Sequence, residues 1–166
     1  KEKFSTSNLF KIFNQNKRIL LFLIQEEIII IDQNLFQRIN QIHNSSIFYF
    51  FPEFKNFLLN PSNISAYYLI NKEEFKKFYE KLPEDFEKKR KIGENDSYIC
   101  ELIRNDSIDE FISYVNKECL PLNSQIEQSL YETNPILLRF NFKLIEYAAF
   151  FGSIQIFKYL IKTMLI

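Results

Sequence analysis

The feature that most constrains the fold is an internal repeat in the second half of the chain. Ile99–Val115 aligns with Ile145–Ile161 at an offset of 46 residues, and each segment has the apolar spacing of two short helices joined by a turn. A helix pair of this length cannot bury its apolar face alone, so repeated pairs have to pack against one another. The repeat predicts an all-α fold, a helical solenoid of stacked helix pairs.

The residues at the turns of the two copies fit this prediction. Gly152 is predicted to close a helix in the left-handed conformation, and Ser153 to cap the helix that follows. In the first copy, Ser107 and Glu110 have the spacing of a capping box. The small pair Ala148–Ala149 is expected to let the first helix of the second copy pack closely against its neighbour.

The first half is also predicted to be helical, because the whole chain contains only two glycines and five prolines. Leu9, Ile12 and Phe13 are spaced along one helical stripe. Asp32 is placed to cap a helix whose apolar stripe is Leu35, Phe36, Ile39 and Ile42. Residues 28–31 are four consecutive isoleucines, and a short buried strand is the alternative there because β-branched residues favour it.

The two halves are predicted to meet near Gly93. Residues 1–92 form a helical region, with a turn over 60–63 and a helix over 64–81. The basic run Lys88–Lys91 follows Glu84, Asp85 and Glu87 and is interpreted as a charged linker. Residues 93–166 are predicted to contain the two repeats. The second repeat can be truncated by the end of the sequence.

The second copy resembles the ankyrin repeat. Leu144–Leu160 follows that family's order of Leu, Ala-Ala, Gly and an aliphatic second helix. The family's Thr-Pro-Leu-His opening is Lys143–Glu146 here, and the offset exceeds the usual repeat of about 33 residues. An enlarged connection over 116–142 results. Together with Leu144–Leu160, the segments Asn16–Asp32 and Pro83–Asp106 make the chain similar to trichomonad ankyrin-repeat proteins. In those proteins a helical region of unknown function precedes the repeats.

This resemblance implies binding of a protein partner, through the connections and the exposed side of the first helices. The matching positions in the second copy are Arg139, Phe140, Phe142, Phe150 and Phe151, and those in the first copy are Asp96, Arg104 and Asn105. Aromatic residues and arginine most often anchor protein interfaces. The long connection is a further candidate, since connections of this length are uncommon unless they are functional or disordered.

The composition argues against several other partners. Lys plus Arg and Asp plus Glu both number 21, so the chain has no basic excess for nucleic acid. Its apolar stretches are too short to span a membrane. One histidine, His43, makes a metal site improbable, and two glycines leave no phosphate-binding loop, so no metal and no cofactor is expected. Two cysteines fit reduced thiols in the cytoplasm.

Three functions follow, in order of preference. The first is a protein-interaction scaffold without catalysis, and no catalytic residue is assigned. The second is a structural or self-associating module, in which the apolar end Ile161–Ile166 stacks on another chain. The third is a thiol-dependent enzyme that uses Cys100 or Cys119, which would require an activated thiolate.

Overall fold

The structure is a computed structural model that describes residues 5–42, 46–59, 77–78 and 80–164. These residues are mostly helical, and none of them lies in a β-strand, so the all-α prediction is confirmed for the part of the chain that the structure describes. His43, the predicted turn over 60–63 and most of the helix predicted over 64–81 lie outside these ranges.

The chain divides into two compact units, Lys1–Gly93 and Glu94–Ile166. The described helices of the first unit are α1 (Thr6–Phe13), α2 (Lys17–Gln25), α3 (Gln33–Ile42), α4 (Ser46–Tyr49), α5 (Phe51–Leu59) and α6 (Phe86–Ile92). Those of the second unit are α7 (Tyr98–Arg104), α8 (Ile108–Lys117), α9 (Pro135–Arg139), α10 (Leu144–Phe151) and α11 (Ile154–Met164).

Side-chain caps start the first three helices, through Ser5, Asn16 and Asp32. The Leu35 N–H donates to Asp32 Oδ1 at 2.7 Å, which confirms the predicted cap of α3. Leu35, Phe36 and Ile39 are buried, as the predicted stripe requires. The stripe predicted for α1 is wrong in part, because the side chain of Ile12 is 60% exposed and Phe10 is the buried residue instead.

The isoleucine run forms neither a helix nor a strand. Glu27 has a left-handed backbone with φ of 54°, and it reverses the chain after α2. The Ile28 and Ile29 N–H groups both donate to the Leu23 carbonyl, at 3.0 Å. Only one side chain of the run, Ile29, is fully buried. The strand alternative is therefore wrong, because Ile28 and Ile29 make hydrogen bonds to the end of α2 and the residues that the structure describes include no strand.

The basic run Lys88–Lys91 belongs to helix α6, so its interpretation as a charged linker is wrong. Gly93 closes this helix with φ of 71°. Within the run, Arg90 is buried and binds Glu53 through both carboxylate oxygens, at 2.7 and 2.9 Å. The composition of the run is typical of a solvated segment, but this arginine is part of the core of the first unit.

The second unit contains both copies of the repeat, and each copy forms two helices joined by a tight turn. The first helices of the copies, α7 and α10, pack against each other, and so do the second helices, α8 and α11. Their shared core includes Cys100, Leu102, Ile103, Phe111, Val115, Leu144, Tyr147, Ala148, Ile156 and Leu160. Ala148 is buried as predicted, whereas Ala149 is exposed and does not contribute to this packing.

The turns are closed differently from the prediction in one respect. Gly152 has φ of 71°, which confirms its left-handed role. Neither predicted serine cap forms: the Ser107 side chain makes no capping hydrogen bond, and the Ser153 hydroxyl donates to the Ile103 carbonyl of the other copy. Instead, Asp106 of the first copy caps α11 of the second.

Asp106 links the two helix pairs through its carboxylate. Its two oxygens accept the backbone N–H groups of Gln155 and Ile156, each at 3.0 Å, and so satisfy donors at the start of α11. The residue itself is left-handed, with φ of 51°, at the position that aligns with Gly152. A single aspartate therefore both closes the turn of its own copy and caps a helix of the next.

Replacing Asp106 with glycine is expected to lower the free energy of unfolding of the second unit by about 1–2 kcal/mol, the usual contribution of a helix cap. Glycine accepts the left-handed backbone with less strain than aspartate, which offsets part of the loss, and the remaining loss reports the carboxylate. Asp106→Asn, which keeps one acceptor, should lose less. Urea denaturation followed by circular dichroism measures both, and equal stability of Asp106→Gly and the parent would contradict the cap.

Candidate interaction surface

Four phenylalanines that the ankyrin resemblance predicts to bind a partner lie in one row of ring contacts. Phe140 contacts Phe142 with ring centroids 6.3 Å apart, Phe142 contacts Phe150 at 6.0 Å, and Phe150 contacts Phe151 at 5.1 Å. We call this row the aromatic ridge. The Phe140 side chain is 57% exposed and that of Phe150 is 39% exposed, whereas Phe142 and Phe151 are half-buried and pack against the core.

Backbone hydrogen bonds hold the first part of the ridge in place. The Ile126 N–H donates to the Phe142 carbonyl at 2.6 Å, and the Leu144 N–H donates to the Ser124 carbonyl at 3.1 Å. These bonds join the connection over 116–142 to the start of α10. The connection also contains the short helix α9, which Asn134 caps by accepting the Ile136 N–H at 3.0 Å. Phe140 follows directly after this helix in extended conformation.

The buried carboxylate of Glu132 holds the connection over 116–142 in place through hydrogen bonds with backbone N–H groups. Glu132 accepts the backbone N–H groups of Asn134 at 2.7 Å, Thr133 at 2.9 Å and Asn95 at 3.2 Å. The Asn95 side-chain amide in turn donates to the Glu127 carbonyl at 2.8 Å. Burial raises the pKa of Glu132, although the three hydrogen bonds oppose this effect. The connection is therefore an ordered support for the ridge.

Two of the three site residues predicted in the first copy, Arg104 and Asp96, bind side chains within the second unit. Arg104 makes an ion pair with Glu94 at 2.9 Å and donates to the Tyr147 hydroxyl, also at 2.9 Å. Asp96 accepts the Ser129 hydroxyl at 2.7 Å. Asn105 is exposed at the end of α7. These contacts leave Arg104 only 15% exposed, so most of its surface is used internally.

Arg104 is nevertheless adjacent to the ridge, because the ring of Tyr147 contacts that of Phe151 at 4.7 Å. Burial raises the pKa of the Tyr147 hydroxyl, which accepts the hydrogen bond from Arg104. At the other end, Arg139 is exposed and directly precedes Phe140. The ridge thus has an exposed cation at one end and a paired cation near the other.

Tyr147 and Glu132 were not identified from the sequence as parts of this site. The apolar pattern of α10 marks Tyr147 as a core residue, which it is, but its hydroxyl also orients Arg104. Glu132 lies in a segment without helical periodicity, where nothing distinguishes a buried carboxylate from a solvated one. Its neighbour Asn134, followed by a proline, is a signal for the start of a helix.

The cavity beneath the ridge is too small for an organic ligand. It has a volume of about 20 Å³ and is lined by residues that include Glu132, Leu137, Phe140, Phe142 and Tyr147. A cavity of this size has room for about one water molecule, whereas small-molecule sites usually occupy about 300–1,000 Å³. This cavity is therefore not a small-molecule site, and the exposed rings of the ridge are the candidate contact surface.

The two thiols have different surroundings. Cys100 is buried in the core of the second unit, and burial raises the pKa of its thiol above the usual value, although hydrogen bonds to Ser97 and Tyr147 oppose the shift. Cys119 is exposed just after α8 and contacts the Asn116 carbonyl at 3.8 Å. The surroundings of Cys100 are those of a structural cysteine.

Cys119 is expected to be alkylated by iodoacetamide at the rate of an ordinary exposed thiol at pH 7, whereas Cys100 should react at least about tenfold more slowly until the chain unfolds. Mass spectrometry of labelled peptides over time measures both rates, with glutathione as the reference thiol. The Cys119→Ser variant should show almost no rapid labelling. Rapid labelling of Cys100 in the folded chain would support the thiol-enzyme alternative instead.

Within the described residues, no group of three or more histidine, cysteine, aspartate or glutamate side chains has the arrangement of a metal site. Across the same part of the chain, the structure has no helix with the length and apolar character needed to cross a membrane. His43, for which no metal role is expected, lies outside the described residues.

Comparison with known proteins matches this chain to no protein-family model, no curated protein and no solved structure. The ankyrin resemblance therefore rests on the repeat itself and on the residues quoted for it.

Proposed function

We propose that this chain is a protein-interaction domain of the ankyrin-repeat type, that its helix pairs form a short solenoid, and that a partner protein docks on the aromatic ridge. The observation that carries the proposal is the unbroken row of ring contacts from Phe140 to Phe151, with Phe140 and Phe150 exposed. Neighbouring exposed aromatic side chains mark binding surfaces more often than scattered ones do.

The side chains of the ridge indicate which kind of partner segment would bind there. The rings provide apolar area with little side-chain entropy to lose on binding, because each phenylalanine has only two rotatable side-chain bonds and packs against a neighbouring ring. Arg139 adds a charge at the edge. A partner segment with apolar side chains and a carboxylate beside them fits this arrangement. A cytoplasmic location belongs to the same proposal, since Cys100 and Cys119 are both free thiols.

A quantitative pull-down from lysate of the source cells tests the proposal. The Phe140→Ser/Phe150→Ser double variant removes the two exposed rings and is expected to lose at least about 90% of a partner that the parent chain retains, which corresponds to about 1.4 kcal/mol or more of binding free energy. Both rings are exposed, so the fold should be preserved, and circular dichroism checks this.

Phe22→Ser is the matched control, because Phe22 is 56% exposed on helix α2 of the first unit, nearly the same fraction as Phe140. It should retain the partner at the parent's level. Equal retention by the ridge variant and the control would show that the ridge is not the binding surface. Equal loss in both would show that the capture depends on exposed apolar surface in general.

A further inference from the structure

The outer side of the second helix pair contains the positions that are equivalent to a buried surface of the first. In the first copy, the face toward the second copy is formed by Cys100, Ile103, Phe111 and Val115, and all four are buried. One contact across it joins the rings of Phe111 and Tyr159, whose centroids are 6.2 Å apart.

The equivalent positions of the second copy, 46 residues later, are Glu146, Ala149, Phe157 and Ile161. None of them is fully buried: Glu146 and Ala149 are exposed, and Phe157 and Ile161 are half-buried. Ile154, 60% exposed, and Met164 extend the apolar stripe along α11 at helical spacing. We call these six residues the outer face. It contains the apolar residues of a packing surface, and no described residue covers it fully.

Two substitutions between the copies argue against a third helix pair packed in the same geometry. Asp106, whose carboxylate caps the second copy's α11, is replaced by Gly152, which has no side chain to cap another helix. Cys100, buried at the existing contact, is replaced by Glu146. The Glu146 carboxylate accepts the Lys143 N–H at 2.7 Å, but covering its charge is still unfavourable unless a cation lies beside it.

Two lysines of α11 beside the outer face, Lys158 and Lys162, can supply such a cation. Helices α10 and α11 are antiparallel neighbours joined by the Gly152 turn, and counting back from the turn places Glu146 level with the segment between Lys158 and Lys162. Both lysines are exposed. If two outer faces meet about a twofold axis parallel to these helices, α10 of each chain lies against α11 of the other. Glu146 of each chain then lies opposite a lysine of the other chain, so the twofold axis gives two such charge pairs.

We propose that the outer face binds the outer face of a second copy of this chain and forms a twofold dimer. This association is separate from the proposed use of the aromatic ridge. The contact spans one helix of 11 residues and one of eight on each side, so it buries less than the roughly 1,200 Å² of a standard interface. A weak dimer is expected, with a dissociation constant on the order of 100 µM.

Sedimentation equilibrium of the chain between about 5 and 500 µM tests the proposal, and the parent is expected to pass from monomer to dimer over this range. Ile154→Glu/Met164→Glu changes two exposed outer-face residues and should remain monomeric throughout. Ile12→Glu is the matched control, because Ile12 is also 60% exposed and lies on a helix of the first unit, and it should dimerise as the parent does.

A second pair of variants tests the charge pairing. Lys158→Glu/Lys162→Glu should weaken the dimer at least about fivefold, while Phe140→Ser/Phe150→Ser should leave it unchanged because the ridge is not part of this contact. A parent that stays monomeric at 500 µM, a dimer insensitive to the outer-face variants, or equal loss in Ile12→Glu would overturn the proposal. Growth beyond the dimer would overturn the twofold geometry, since head-to-tail stacking does not close.

Discussion

Replacing Arg90 with alanine is expected to lower the free energy of unfolding of the first unit by about 3–5 kcal/mol, because it leaves the nearly buried carboxylate of Glu53 without its charged partner. The Arg90 side chain is 4% exposed and that of Glu53 is 10% exposed. Besides its two bonds to Glu53, Arg90 donates to the Tyr49 carbonyl at 3.1 Å and lies over the rings of Tyr49 and Phe86. Burial alone would lower the pKa of Arg90, but the hydrogen bond and charge of Glu53, with Glu87, raise it.

Urea denaturation followed by far-ultraviolet circular dichroism measures the effect, and Glu87→Gln is the control. Glu87 also binds Arg90, at 2.9 Å, but its side chain is 57% exposed, so the change should cost no more than about 1 kcal/mol. Arg90→Lys should lie between the two, since lysine cannot make the bidentate contact. A loss for Arg90→Ala as small as that for Glu87→Gln would contradict the buried pair.

The second large effect is expected at the contact between the repeat copies. Phe111→Ala should lower the free energy of unfolding of the second unit by about 3–5 kcal/mol, because the ring is fully buried against Tyr159 and its removal leaves a cavity. Phe157 is the equivalent residue of the second copy and is only half-buried. Phe157→Ala should therefore cost no more than about half as much.

The same residue type, substitution and position in the repeat make this a matched comparison, measured by urea denaturation at protein concentrations below about 5 µM, where the proposed dimer is absent. Equal losses for the two variants would contradict the account, because they would mean that the outer face of the second copy is as well covered as that of the first. A small loss for Phe111→Ala would argue against the packing of α8 on α11.

Local signals predicted much of the fold. The Asp32 cap, the left-handed Gly152 and the helix–turn–helix form of each copy were predicted because each depends on a few neighbouring residues. The cap of α11 was assigned to Ser153, since a serine before a helix is the usual cap. The acceptor is instead Asp106, 49 residues before Gln155, and only the packing of one copy on the other brings it there.

The buried Arg90 was missed for a similar reason. It lies in a run of four basic residues next to three acidic ones, and sequence spacing cannot show which member of such a run meets a carboxylate 37 residues away. Burial of a charge depends on tertiary geometry and not on the local pattern. A phenylalanine at position 86 within the charged stretch was the one local sign that this segment has a buried side.

The candidate site was predictable in outline but not in detail. Alignment with the ankyrin pattern selected four phenylalanines that contact one another in the structure. It could not separate exposed Phe140 and Phe150 from half-buried Phe142 and Phe151, because that depends on how the connection folds over the core. Nor could it show that Arg104 is held by Glu94 and Tyr147.

The most direct test of the central claim is site-specific photocrosslinking in the source cells. A photoreactive phenylalanine analogue is placed at position 140 on the ridge, or at position 22 as the equally exposed control. The proposed interaction predicts a defined crosslinked protein from position 140 that is absent from position 22. It should also be lost when Phe150→Ser is added to the position-140 chain. The same crosslinked species from both positions, or none from position 140, would contradict the claim that a partner docks on the aromatic ridge.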